Sequence, residues 1–238
     1  MKKILLFFAI VSVAGMLASC NGNGKTAEAG SKEENTNAVV EEPTTGSLAG
    51  HDWVDLGLPS GTKWATCNVG ASKPEEYGNY FAWGETKTKE IFNRETYRYF
   101  DAGLTKYTYD DKLEILEETD DAASANWGKD WRIPTEEEFK ELLDKCTWTK
   151  KANGYEVKGT NGKTIFLPAA GYFKESDLIS GNPSKITYGY YWTRSLSLEQ
   201  NLYMAKILIF TMESSSNYRE ISNLYRNDGL TIRPVCAK

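Results

Sequence analysis

The side chains able to support catalysis are few in this 238-residue sequence, and their spacing matches no common hydrolase motif. Because His51 is its only histidine, the chain cannot form a His-Glu-x-x-His zinc site. The nucleophile motif Gly-x-Ser-x-Gly is absent as well. A nucleophile activated by His51 would need a rigid scaffold, whereas His51 lies where a polar segment meets the first aromatic residues of a domain. These observations favour a protein that is not an enzyme.

A polar stretch, residues 85–118, contains the side chains best suited to binding a ligand. Its apolar residues follow neither helix nor strand periodicity, so we expect a long surface loop. Tyrosine rings stack on ligands such as sugars, and arginines donate hydrogen bonds to them. The alternative is that the tyrosines only cover the core. The predicted ligand-binding residues are Arg94, Tyr97, Arg98, Tyr99, Tyr107 and Tyr109.

The first twenty residues are typical of an exported protein. Met1-Lys2-Lys3 is basic, and the apolar run that follows, residues 4–17, is too short for a stable membrane span. Leu17-Ala18-Ser19-Cys20 resembles the lipobox of bacterial lipoproteins, in which the cysteine is lipidated and becomes the new N-terminus. We therefore predict a signal peptide over residues 1–19 and lipidation at Cys20. The membrane is then a partner through the lipid anchor.

The residue after Cys20 is informative about the target membrane. In enterobacterial lipoproteins an aspartate at that position favours retention in the inner membrane, and this chain has Asn21 instead. The resemblance therefore implies an outer-membrane lipoprotein, and the side of that membrane stays open.

The composition divides the chain near residue 50. Residues 21–50 are rich in Gly, Ser, Thr and Glu, and 28 of the 30 aromatic residues lie in 51–238. We predict that residues 20–50 are the lipidated cysteine with a flexible, disordered tether, and that residues 51–238 form the domain. The net charge of −5 gives no general attraction to nucleic acid, so no nucleic-acid partner is expected.

Two helices are predicted in the domain. The first spans 120–127 and begins with acidic residues, which suit the N-terminal end of a helix dipole. The second spans 134–145, and Thr135 and Glu138 have the spacing of a capping box.

Short strands separated by turn signals account for most of the remaining domain. Asn153-Gly154 and Asn161-Gly162 predict tight hairpins between strands at 147–151, 155–157 and 163–167. Further strands are predicted at 188–193, 202–212 and 230–235. The tryptophans inside apolar runs are predicted to be core residues, and these are Trp64, Trp83, Trp131 and Trp192.

Several motifs occur in order along residues 52–236. They include the segments WVDLGLPSGTKWA (53–65), YGNYFAWGE (77–85), WRIPTEEEF (131–139), YYWTRS (190–195) and IRPV (232–235). These motifs resemble a large family of Bacteroidales lipoproteins related to the Fibrobacter succinogenes major paralogous domain. That family is similar in fold to C-type-lectin-like domains and to the formylglycine-generating-enzyme group. The resemblance implies an α+β, C-type-lectin-like domain of mostly short antiparallel strands with two helices, in which the first and last strands pair.

The resemblance also implies where a metal would bind. Calcium-dependent lectins use a Glu-Pro-Asn-like loop and a Trp-Asn-Asp-like triad before the last strand. The nearest matches here are Asn182-Pro183 and Asn227-Asp228, but Gly181 and Arg226 replace the acidic residue and the tryptophan. Asn182, Asn227 and Asp228 are therefore weak calcium candidates, and no cofactor is expected.

The cysteines give a further implication of the resemblance. Once Cys20 is lipidated, three cysteines remain, so at least one stays unpaired, and spacing alone does not decide the pairing. The resemblance places Cys67 on a strand near that of Cys236 and so implies a disulfide between them.

These expectations combine into one functional prediction. The chain is predicted to be a non-enzymatic envelope lipoprotein whose domain binds a glycan or a protein. The alternatives are an enzyme of the formylglycine-generating type, although residues 190–226 lack the late cysteine pair of that group, and a structural component of an envelope or fimbrial assembly.

Overall fold

The computed structural model describes residues 43–182, 185–198 and 201–237. The predicted signal peptide, Cys20 and most of the predicted tether lie outside these residues. Strands account for 38% of the structure and helices for 10%. The fold is therefore β-rich, and the predicted α+β class is wrong. The physical reason is that the two helices have only six and ten residues, while the fifteen strands make up most of the regular structure of the described residues.

The described part of the chain contains fifteen strands and two α-helices, which are listed here in chain order. They are β1 (Thr45–Leu48), β2 (His51–Asp55), β3 (Lys63–Ala65), α1 (Ala122–Trp127), β4 (Trp131–Arg132), α2 (Glu136–Lys145), β5 (Thr147–Lys150), β6 (Gly154–Lys158), β7 (Thr164–Pro168), β8 (Tyr172–Lys174), β9 (Asp177–Ile179), β10 (Gly181–Asn182), β11 (Lys185–Ile186), β12 (Tyr188–Leu196), β13 (Met204–Thr211), β14 (Arg219–Tyr225) and β15 (Val235–Cys236).

The N- and C-terminal strands of the domain belong to one antiparallel sheet with the order β1-β2-β3-β15-β4. Val235 of β15 lies opposite Trp64 of β3 on one side and Arg132 of β4 on the other. The last strand therefore pairs with an early one. This pairing closes the domain and brings the end of the chain next to its beginning.

β1 lies inside the segment that the composition predicts to be a tether. Thr45–Leu48 pairs along its whole length with β2, and Gly46 lies opposite Trp53. A Cβ atom at Gly46 would approach the Trp53 ring to 2.4 Å, so the indole packs directly on the glycine backbone. Backbone pairing, this contact and the Trp131 indole N–H, which donates to the Leu48 carbonyl, order the strand without an apolar pattern that the sequence would reveal.

The remaining strands form hairpins and two three-stranded sheets. The predicted strands between the Asn-Gly turns are confirmed, because β5, β6 and β7 form one three-stranded antiparallel sheet. β12, β13 and β14 form the other. The edge strand β14 has no counterpart among the predicted strands. It alternates polar and apolar residues only weakly, and most of its side chains are half-buried.

The predicted capping box at the start of α2 is confirmed. The Thr135 hydroxyl accepts a hydrogen bond from the Glu138 backbone N–H at 3.2 Å, and the Glu138 carboxylate accepts one from the Thr135 N–H at 2.8 Å. Arg132 donates to both oxygens of the same carboxylate, and Thr62 donates to one of them. The guanidinium of Arg132 helps to hold the pKa of Glu138 below its usual range although the carboxyl is buried.

Replacing Thr135 with alanine should lower the free energy of unfolding by about 1 kcal/mol, because one N-terminal N–H of α2 loses its acceptor. Urea denaturation followed by circular dichroism measures this difference. Thr88→Ala removes the same hydroxyl from an exposed position and should leave the free energy of unfolding unchanged. Equal stability of the two variants would show that the cap does not stabilise the domain.

The predicted tryptophan core is confirmed and divides into two clusters. Trp83, Trp131 and Trp192 pack in one cluster, and Trp64 packs in the other with Phe139 of α2; all four indoles are 0% exposed. The first cluster also contains Tyr97, Tyr99 and Tyr107. Part of the predicted surface loop therefore belongs to the core.

Candidate functional site

The six predicted ligand-binding residues separate into two groups. Tyr97, Tyr99 and Tyr107 are buried, with at most 5% of each side chain exposed. The surface position predicted for them is therefore wrong, since their rings pack edge to face on one another instead of facing solvent. Tyr109 is 71% exposed, and Arg94 and Arg98 are exposed as well.

Two of the buried tyrosines, Tyr97 and Tyr107, lie against Arg226, which stands where the calcium-lectin motif has a tryptophan. The Arg226 guanidinium lies 4.9 Å from the Trp83 ring, 5.4 Å from Tyr97 and 5.6 Å from Tyr107. It donates to the Tyr97 hydroxyl at 2.9 Å and to the main-chain carbonyls of Tyr107, Leu202 and Lys106. Arg226 is only 1% exposed, so it has a structural role here.

Arg94 does line a cavity, and its neighbours there include two residues predicted as calcium candidates. The cavity has a volume of about 260 Å³ and is open to solvent. The segments that contribute to it are the stretch after Phe92, the β8–β9 turn and the end of β14 with the residues that follow. Its lining residues are Phe92, Asn93, Arg94, Glu95, Lys174, Glu175, Tyr225, Asn227 and Asp228.

Backbone hydrogen bonds fix these three segments relative to one another. Phe92 and Glu175 exchange both of their main-chain hydrogen bonds, at 2.9 Å each, and Phe173 and Gly229 do the same at 2.8 Å. The Asn93 side chain adds a hydrogen bond of 2.8 Å to the Glu175 carboxylate. The cavity is therefore preformed. A ligand could enter it without a rearrangement of these segments, as is usual for small-molecule sites.

Asp228 is the most unusual group in the cavity. It is 2% exposed, and the structure shows one side-chain donor to its carboxylate, the Asn227 amide at 3.2 Å. Burial raises the pKa of Asp228 to about 7, with Glu175 adding to the shift and Lys174 opposing it. A carboxyl group with this pKa is present both as acid and as carboxylate at neutral pH.

Arg94 contributes a cation to the cavity, and Tyr225 contributes an aromatic ring. The Arg94 guanidinium lies 5.3 Å from the Phe100 ring and 5.2 Å from the Tyr203 ring, so it is held by stacking on aromatic faces. Among the ion pairs of the described residues, none involves Arg94, which leaves its donors available. The Tyr225 side chain is 42% exposed at the edge of the same cavity.

Two of the three predicted calcium candidates, Asn227 and Asp228, line this cavity. Asn182 lies in β10. Within the described residues, no group of three or more His, Cys, Asp or Glu side chains is placed to hold a metal ion. The cations Arg94 and Lys174 also line the cavity, which favours an organic ligand over a divalent cation.

Sequence reasoning missed the remaining cavity residues, chief among them Lys174, Glu175 and Tyr225. Glu175 has a left-handed backbone, φ 54°, at the β8–β9 turn, and no turn motif in the sequence marks this. Tyr225 could have been found, because it lies two residues before the Asn227-Asp228 pair.

The cysteines of the described part of the chain are free thiols, so the structure does not form the implied Cys67–Cys236 disulfide. Cys236 is buried in the terminal strand, and Cys67 and Cys146 are half-buried. Burial raises the pKa of Cys146 to about 11, which keeps this thiol protonated and unreactive at neutral pH.

Comparison with known proteins returns nothing: the chain matches no family model, no curated protein and no solved structure. The resemblance drawn from its motifs therefore stays a prediction. Within the described residues, no helix has the length and apolar character needed to cross a membrane.

Proposed function

We propose that this chain is a lipid-anchored envelope protein whose β-rich domain binds a glycan in the cavity around Asp228. The observation that carries the proposal is the buried Asp228 carboxyl group, which faces an open, preformed cavity and has one side-chain donor. A buried carboxylate with unused acceptor capacity costs free energy. Donors from a ligand would satisfy that capacity and so gain affinity.

The lining groups favour a ligand rich in hydroxyl groups. Each sugar hydroxyl donates and accepts hydrogen bonds at the same time, and the cavity offers acceptors on Asp228 and donors on Arg94. Tyr225 adds a half-exposed ring on which the apolar face of a sugar ring would stack. The volume of about 260 Å³ lies just below the usual range for small-molecule sites and suits the terminal unit of a glycan chain.

The envelope location is proposed on sequence evidence. It is supported by the basic start, the apolar run 4–17 and the lipobox-like residues that end in Cys20. We also propose membership of the lipoprotein family that the motifs resemble. The motif residues include Trp83 and Trp192, whose buried indoles donate to main-chain carbonyls of Thr193 and Phe81. A family with a shared fold would keep residues that, like these, connect distant parts of the core.

Replacing Tyr225 with alanine should weaken glycan binding about tenfold, because the sugar would lose its stacking surface. The binding of labelled wild-type and variant protein to an array of bacterial and host glycans measures this. Tyr109→Ala is the matched control, since it removes an equally polar ring that is 71% exposed outside the cavity. The control should bind like the wild type.

The two tyrosine variants also separate this site from the one predicted from sequence. Loss of binding in Tyr109→Ala together with normal binding in Tyr225→Ala would place the site on the 85–118 stretch and contradict the proposal. An array that shows no glycan bound, while the domain captures an envelope protein through Tyr225, would assign the same cavity to a protein ligand.

A further inference from the structure

A second cavity, separate from the Asp228 site, lies on the five-stranded sheet. Its volume is about 490 Å³, and it is lined by β1, β2, β3, the residues before β4 and the end of the chain. Its lining residues are Ser47, Leu48, Trp53, Lys63, Lys129, Asp130, Arg132, Cys236 and Ala237. Three cationic side chains therefore face one carboxylate, Asp130.

Within the described residues, two of the three cations form no ion pair. Arg132 forms a bidentate ion pair with Glu138, at 2.6 and 2.7 Å, so the Glu138 carboxylate neutralises its charge. Among the ion pairs found in the described residues, none includes Lys63 or Lys129. These two lysines are the groups through which the cavity attracts an anion.

The position of Lys63 is fixed without neutralising its charge. Its ammonium group lies 4.1 Å from the centroid of the Trp53 ring, and that ring is held against the backbone of Gly46. A cation held on an aromatic face keeps its hydrogen-bond donors for a ligand. The Cys236 side chain, 1% exposed and within the electrostatic reach of Lys63, adds an uncharged part to the lining.

We propose that this cavity binds a phosphate group, carried either by a small soluble molecule or by the headgroup of a membrane lipid. Lysine binds phosphate as a point charge, and a phosphate presents several oxygens to two separate ammonium groups and to the Ser47 hydroxyl. A carboxylate is recognised best by the planar fork of an arginine, and Arg132 is already paired with Glu138. The lining therefore selects phosphate over carboxylate.

The test uses the full chain in detergent and the double variant Lys63→Gln with Lys129→Gln. Glycerol 3-phosphate is titrated into each protein, and line broadening of the phosphorus resonance is followed by NMR. Lys87→Gln is the matched control, because Lys87 is exposed and lies outside the cavity. We expect the double variant to bind about tenfold more weakly or not at all, and the control to bind like the wild type.

A second arm of the test distinguishes the two sources of phosphate. The same proteins are sedimented with vesicles of phosphatidylcholine, with or without phosphatidylglycerol, and the comparison between variants cancels any contribution of the apolar run 4–17. Binding to anionic vesicles that needs the lysines, with weak binding of glycerol 3-phosphate, assigns a lipid headgroup. Tight binding of glycerol 3-phosphate assigns a soluble ligand. Equal binding by wild type, double variant and control in both arms would overturn the proposal.

Discussion

At pH 8 the Asp228→Asn variant should be more stable than the wild type, with a free energy of unfolding larger by about 2–4 kcal/mol. The gain arises because asparagine keeps the shape of the side chain and removes a charge that is buried at 2% exposure. A mutation that stabilises a protein by this much marks a residue retained for a purpose other than stability. In this domain that purpose is the proposed binding of a glycan.

The pH dependence of this gain has a defined sign. The pKa of Asp228 is about 7 in the folded protein and near the ordinary aspartate value of 3.8 in the unfolded chain. Between these values the folded state binds more protons than the unfolded state, so the contribution of Asp228 to stability falls as the pH rises. The difference between variant and wild type should therefore be small at pH 4, grow up to about pH 7 and stay constant above it.

Thermal and urea unfolding of both proteins between pH 4 and pH 8 measures this difference. Asp110→Asn is a suitable control, because Asp110 is exposed and its replacement should change stability little at any pH. If the difference in free energy of unfolding between Asp228→Asn and wild type stayed constant across the pH range, the Asp228 carboxyl group would be solvated. This result would contradict the proposal of a buried carboxylate in the cavity.

Replacing Arg226 with methionine should have the opposite effect and lower the free energy of unfolding by about 3–5 kcal/mol. Methionine fills a similar volume but donates no hydrogen bond. The Tyr97 hydroxyl and three main-chain carbonyls would then lose their donor inside the first core cluster. Urea denaturation monitored by tryptophan fluorescence reports on this region directly, because Trp83 contacts the guanidinium.

Arg98→Met is the control for this prediction. Arg98 also stacks on a tyrosine, but its side chain is 57% exposed and its nearest carboxylate contact is 3.8 Å long. Its loss should change the free energy of unfolding by less than about 1 kcal/mol. If both arginine variants unfolded at the same urea concentration, the buried guanidinium would not be the group that joins the 85–118 stretch to the core.

The sequence predicts well those features of the fold that depend on neighbouring residues. The capping box of α2 and the hairpins around Asn161-Gly162 depend on residues a few positions apart, so their patterns are visible in one segment. The predicted fold class was wrong, because very short strands such as β4 and β15, two residues each, are ordered by pairing across distant parts of the sequence.

The 85–118 stretch shows why aromatic content alone misleads. Its tyrosines follow no helix or strand period, yet three of the four are buried, and two of these lie against Arg226. Periodicity describes elements that bury one regular face, and an irregular segment can be buried without it. The exposure of a tyrosine in such a segment depends on its partner, here an arginine more than 100 residues away.

The sequence predicts single residues of the candidate site but not the cavity as a whole, because the cavity is built from segments far apart in the sequence. The sequence predicts Arg94 from its place in a polar stretch, and Asp228 from a weak match to a calcium motif. They are 134 residues apart in the sequence, and only the bridge of the β8–β9 hairpin to both Phe92 and Gly229 brings them to one cavity. The resemblance implies only a weak calcium candidate at Asp228, and the structure places this residue in the lining of the cavity.

Glycan-array binding at pH 8 by wild-type protein and the Asp228→Asn variant tests most directly whether the cavity around Asp228 is a glycan site. We expect the wild type to bind at least one class of glycan, and the variant to bind it at least about tenfold more weakly although it is more stable. Equal binding by both proteins, or the absence of any bound glycan for the wild type, would contradict the assignment of this cavity as a glycan site.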